Sequence, residues 1–157
     1  MKFQIKQIIV PLAAVAALSY GGVALATDQA SNANVEIVTA IAISEDTQID
    51  FGLLTNEDGT CTMASGGALT GSSGQSCTGS ATPGSFTVTG TAGKVVDLTL
   101  TAGSAVGGVT YNPVVDGSST PTLTAGSATV AVIGNLVLVS ATDGDKDIAY
   151  TFTANYQ

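Results

Sequence analysis

The last ten residues, Ile148-Ala149-Tyr150-Thr151-Phe152-Thr153-Ala154-Asn155-Tyr156-Gln157, alternate apolar and polar side chains with period two. Ile148, Tyr150, Phe152, Ala154 and Tyr156 share one face; Thr151, Thr153 and Asn155 share the other. Successive side chains of a β-strand point to opposite faces, so this is a strand with one buried face. Three of the chain's eight aromatic residues sit on it. A strand that rich in aromatics has to close a core, its own or a neighbour's.

Shorter runs of the same kind precede it. Ser85-Phe86-Thr87-Val88-Thr89 alternates, and Val95 to Leu100 across the Gly90–Gly93 turn reads as its hairpin partner. Val106 to Val115 holds a strand with Gly107-Gly108 as its turn and Asn112-Pro113 as an edge or bulge, because proline cannot donate to a ladder. Thr129 to Ile133 and Leu136 to Val139 are two apolar strands. Gly134-Asn135 joins them as a tight turn needing positive φ. Near the start, Val35 to Ile43 predicts a long strand with Val35, Ile37, Ile41 and Ile43 on one face, followed by a short one over Thr47 to Phe51. Eight to ten short strands separated by Gly, Asn, Asp and Pro turns predict an all-β, antiparallel β-sandwich of immunoglobulin-like type. No fixed-period repeat and no linker divides residues 27–157, which read as one domain.

Residues 1–26 read differently. Lys2 and Lys6 precede an apolar core from Ile8 to Leu18, and Ala24-Leu25-Ala26 is a small-x-small cleavage site. The apolar run suits a signal peptide and is short for a membrane span, though an uncleaved anchor is the competing reading. Cleavage would leave a chain starting at Thr27, in the periplasm, at the cell surface or outside the cell.

That chain would hold Lys94 and Lys146 against twelve carboxylates, a net charge of −10. Such a surface repels phosphate backbones and anionic lipid, which excludes nucleic acid as a partner and argues against membrane insertion after cleavage. Cys61 and Cys77 have fifteen residues between them, rich in Ser, Gly and Thr. Two cysteines in a cytosolic chain suggest a metal or redox thiols. In an exported chain with no histidine and no CxxC spacing they suggest a structural disulfide that closes a loop insertion over 61–77.

The absence of histidine also removes Ser-His and Cys-His pairs, and no G-x-S-x-G elbow occurs. The chain is therefore expected not to be an enzyme. Asp143, Asp145 and Asp147 alternate as in calcium loops, but the sixth and twelfth EF-hand positions hold Ile148 and Ala154. A looser calcium site shared with Glu57-Asp58 or Asp116 and an ordinary solvated turn are the two readings left.

The opening A-x-V-x-I-x-x-A-I-x-I pattern, Ile49-Asp50-Phe51-Gly52, and Gly84-Ser85-Phe86-Thr87-Val88-Thr89-Gly90 together resemble the secreted bacterial family known as domain of unknown function 4402. That resemblance implies an immunoglobulin-like sandwich and export, with no activity attached. The closing strand, with Tyr156 penultimate and Gly144 fourteenth from the end, also resembles the subunits of chaperone–usher pili. This second resemblance implies a pilin-like structural subunit that pairs with itself or related subunits by strand addition. Its assembly strands would be Val35, Ile37, Ile41 and Ile43 on one side and Tyr150, Phe152 and Tyr156 on the other. Two alternatives stay open: Val35 to Ile43 is the first strand of its own sandwich, or the chain is a monomeric binding module assisted by calcium.

Overall fold

The computed structural model describes residues 28–72 and 74–157; the leader expected over 1–26 lies outside them. The chain divides into two units, Met1–Val35 and Glu36–Gln157. In the first, the described residues 28–35 form no strand. The second is all-β and, among the described residues, contains no helix.

Its ten strands are β1 (Ala42–Thr47), β2 (Leu53–Leu54), β3 (Gly59–Met63), β4 (Leu69–Ser72), β5 (Cys77–Thr78), β6 (Gly84–Thr89), β7 (Val96–Ala102), β8 (Val109–Asp116), β9 (Ser127–Leu138) and β10 (Tyr150–Tyr156). Every pairing is antiparallel. The twelve residues of β9 form the spine of a six-stranded sheet. Its first half pairs with β6, Val130 opposite Phe86, and its second half with β3, Leu136 opposite Cys61. Leu136 also faces Tyr111 of β8, so β8 runs along the other edge of the spine. β1 lies outside β6, and β4 outside β3. The second sheet pairs β10 with β7, Phe152 opposite Leu100. Residues 119–121 fasten to the other side of β7 through Leu98 N to Ser119 O and Val96 N to Pro121 O.

The two sheets pack face to face as a β-sandwich. Val88 and Val130 of the large sheet meet Val96 and Leu98 of the small one, with Leu123 beneath them. A second cluster joins Phe51, Cys61, Met63, Tyr111, Leu136 and Leu138. The alternation read for the last strand is present: Tyr150, Phe152, Ala154 and Tyr156 turn inward and the residues between them are exposed. Gly107-Gly108 forms the expected two-residue turn, closed by mutual Val106–Val109 backbone bonds with both glycines at positive φ. Pro113 lies on the edge strand β8, as a residue without an N–H must.

Five expectations are corrected. Gly134-Asn135 is no turn, because β9 runs straight through it. A Cβ at position 134 would stand 2.2 Å from the Asn112 carbonyl oxygen, and φ is +150°. Glycine is needed there for close backbone approach, a use that resembles turn chemistry in sequence. The Ser85–Thr89 and Val95–Leu100 segments are not a hairpin. β6 belongs to the large sheet and β7 to the small one, and the chain crosses between them at Gly90, where a Cβ would collide with the Tyr156 hydroxyl.

The long strand over Val35–Ile43 is absent. β1 begins at Ala42 and carries Ser44, Glu45 and Asp46. As an edge strand with every residue exposed it buries no face, so no apolar alternation marks it. Thr47–Phe51 contributes only a bridge between Asp50 and Thr82. Finally, the span from Cys61 to Cys77 is more than a loop. It contains the β3–β4 hairpin, and Cys61 and Met63 lie in the core.

Candidate binding cleft and strand edges

Cys61 and Cys77 are bonded to each other, with Cα atoms 6.0 Å apart. Cys61 is fully buried against the second cluster, and Cys77 packs on it from outside. The bond therefore ties β5 to β3 from the core side. A disulfide fits an oxidising compartment. Among the described residues no helix is long and apolar enough to cross a membrane.

The residues expected in strand assembly fall into two groups. Ile41 packs against the Val88–Leu123 cluster, Ile43 lies on β1, and Ile37 is 89% exposed and outside any strand. Val35 belongs to the first unit. The inward face of β10 is only half-buried along its whole length. Tyr156 fixes one end: its hydroxyl donates to the Thr39 carbonyl at 2.6 Å and accepts from Thr91 N–H at 2.6 Å. The neighbourhood of Thr39 and the end of β10 are thereby joined.

The sheet edges differ in how they are guarded. β1 carries Glu45 and Asp46 and a register shift between Glu45 and Thr47. β8 carries Pro113. Charges, bulges and prolines are the usual means of blocking an edge. β10 has none of them: its seven pairs with β7 run without a shift, and its residues are uncharged. Among the described residues no strand pairs with its outer side.

Beside the start of β10 a cleft of about 800 Å³ opens between the sheets. Its floor is Phe51, Tyr111, Leu136, Leu138 and Tyr150. Phe51 and Tyr150 each meet the Tyr111 ring edge to face, at 5.6 and 5.3 Å. The Tyr111 hydroxyl donates to the Ile133 carbonyl at 2.8 Å. Burial, and after it the neighbouring Tyr150, pushes the Tyr111 phenol far above its ordinary range. Tyr150 is pushed up to about 12, by burial first and then by the charge of Glu45. Its hydroxyl is shielded from solvent and has no hydrogen-bond partner among the described residues.

The rim holds Glu45, Asp50, Asp143, Asp145 and Asp147. Asp143 accepts from Asn56 Nδ2 at 2.9 Å, and Asp50 accepts from Gly52 N–H at 2.7 Å. Lys146 turns back on its own loop, its Nζ donating to the Asp143 and Gly144 carbonyls at 3.0 and 2.8 Å. Of the residues considered as calcium partners, Asp58 accepts from Ser140 N–H just ahead of that loop, and Asp116 accepts from the Ser65 hydroxyl. Among the described residues no three carboxylates gather closely enough to hold a metal ion. The structure thus brings Asp143, Asp145 and Asp147 to one rim without converging them.

Sequence reasoning missed the cleft because its lining runs from Glu45 to Tyr150, and only the topology brings those residues together. Phe51 and Tyr111, isolated aromatics far apart in the chain, were the available signal. Comparison with protein-family models, curated proteins and solved structures returns no match to this chain.

Proposed function

We infer that this is a non-enzymatic structural or surface subunit, exported from the cytoplasm and pilin-like, that assembles with copies of itself or related subunits by β-strand complementation. The observation that carries the reading is a mismatch between two parts of the molecule. Ile37 and Val38 stand exposed ahead of β1, outside the strands, while β10 offers an unguarded edge and a half-buried inner face. Exposed backbone donors and acceptors on such an edge invite a strand from a neighbour. The disulfide supports an extracytoplasmic setting.

Removing residues 27–38, which precede the anchored Thr39 and Ile41, tests it. The truncated protein is expected to fold as a monomer that forms no filaments in negative stain and that takes up a peptide copying the missing segment. A truncated chain that is unfolded and that no peptide rescues would assign the segment to its own domain and overturn the reading. So would full-length protein that forms only uniform small particles.

A second reading, a monomeric binding module, draws on the cleft beside β10. Its volume of about 800 Å³ and the half-buried Tyr150 ring in its lining suit a small-molecule site.

A further inference from the structure

The cleft carries features that choose among ligand chemistries. Phe51, Tyr111, Leu136 and Leu138 at its base are core residues that show little surface, so the base is rigid and the half-buried Tyr150 ring is the most open aromatic in the lining. Its rim is acidic on both sides: Glu45 and Asp50 come from the β1 side, and Asp143, Asp145 and Asp147 from the turn before β10. The single cation in the lining, Lys146, has its ammonium on two carbonyls of its own turn and forms no ion pair with the rim among the described residues. The rim is therefore left negative around a hollow of mixed polar and apolar lining that includes the Tyr150 ring.

A metal ion is a poor match, because it demands several oxygens converging within about 2.5 Å of one point and no three carboxylates gather here. Carboxylates spread around an aromatic floor suit a different object. An organic cation with an apolar body can lay that body against the half-buried Tyr150 ring and turn its ammonium to the rim. Neutral apolar ligands would gain only the floor; anions would meet repulsion.

We propose that the cleft between β10 and the Ile49–Thr55 segment is a binding site for small organic cations, of the aralkyl- or alkylammonium class. This deepens the binding-module reading and is independent of strand assembly.

The test uses three probes of nearly equal shape: phenethylammonium, 2-phenylethanol and 3-phenylpropionate. Binding to the full chain is followed by calorimetry and by shifts of the Tyr111, Tyr150 and Phe51 ring resonances. The ammonium is expected to bind about tenfold tighter than the alcohol, equivalent to ~1.4 kcal/mol, to perturb those rings, and to weaken as salt is raised. The carboxylate is expected not to bind. Glu45→Gln combined with Asp147→Asn should reduce ammonium affinity by about tenfold. Asp97→Asn, on the exposed face of β7 and away from the cleft, should leave it unchanged. Equal binding of alcohol and ammonium would overturn the cation assignment while leaving a binding cleft. Failure of all three probes to saturate would overturn both. Equal weakening by Asp97→Asn would reduce the effect to the net charge of the protein and overturn the site.

Discussion

The rings of Phe86 and Phe152 stack with centroids 4.7 Å apart and planes inclined by only 6°. Phe86 belongs to β6 of the large sheet and Phe152 to β10 of the small one. With the contacts of Tyr150 on Phe86 and Tyr111, this stack joins β10 to the large sheet.

Phe152→Ala should therefore cost about 2–3 kcal/mol, below the full cost of emptying a core phenylalanine because the ring is only half-buried. Urea unfolding with an unchanged slope is the measurement. Phe152→Leu should recover much of the loss. Phe152→Asp, which sets a charge on the inner face, should prevent folding or export. Equal stability of the alanine variant and the native chain would show that the stack adds nothing to the β7 ladder and the Tyr150 and Tyr156 contacts that also hold β10.

Gly134→Ala should be destabilising by about 2 kcal/mol or more, since the new methyl meets the Asn112 carbonyl and the Tyr111 ring in a conformation side chains rarely adopt. Gly93→Ala is the comparison. Its φ is +79°, but nothing stands within 4 Å, so only the backbone term of about 1 kcal/mol applies. Thermal unfolding of the two variants separates crowding from conformation. If they match, close approach at β8–β9 is not what position 134 requires.

Protein exported by its native host should resist alkylation at Cys61 and Cys77 unless reductant is added. Reduction, or replacement of both by serine, should lower stability by about 3 kcal/mol on the loop-entropy estimate for a span of this size. Burying a serine at position 61, which is fully enclosed, should add to that loss. Full labelling of both thiols without reductant, with and without denaturant, would show that the bond does not form.

Stability should be flat at neutral pH and fall at high pH. Tyr150 is raised to about 12 by burial and by Glu45, and Tyr111 is raised further, while the unfolded chain titrates near 10. The folded state thus holds its protons longer than the unfolded state. The stabilisation is complete below about pH 10 and is lost as pH climbs through the folded-state values. Melting temperature followed against pH checks this. Tyr150→Phe removes a hydroxyl with no partner, so it should not destabilise near neutrality and should soften the alkaline decline. A decline equally steep in Tyr150→Phe would assign it to other groups.

Fold class and the last strand were legible because burial on one face writes period two into the residues from Tyr150 to Tyr156. The Gly107-Gly108 turn was legible because positive φ at two successive positions favours glycine. β1 was illegible because an exposed edge strand imposes no pattern on Ser44, Glu45 and Asp46. The apolar Ile37 drew the strand to the wrong place, since apolar character without burial looks the same in sequence as apolar character with it. Gly134 was misread because a glycine required by a neighbouring backbone and one required by a turn are the same letter. The pairing of β6 with β9 rather than β7 depends on contacts some forty residues apart, which no local pattern encodes. The cleft shares that cause, since its two acidic sides lie about a hundred residues apart.

The spine strand also sets an order in time. β3, β6 and β8 all take their places against β9, which begins only at Ser127. Until that segment is available, the β3–β4 hairpin and the β1–β6 pair can form, but the large sheet cannot join and the second cluster has no wall at Leu136 and Leu138. Closing such distant pairings is slow. A chain leaving the ribosome from its N-terminus thus stays without its large sheet for most of its length, and assembly of the sandwich waits for the last fifth of the sequence.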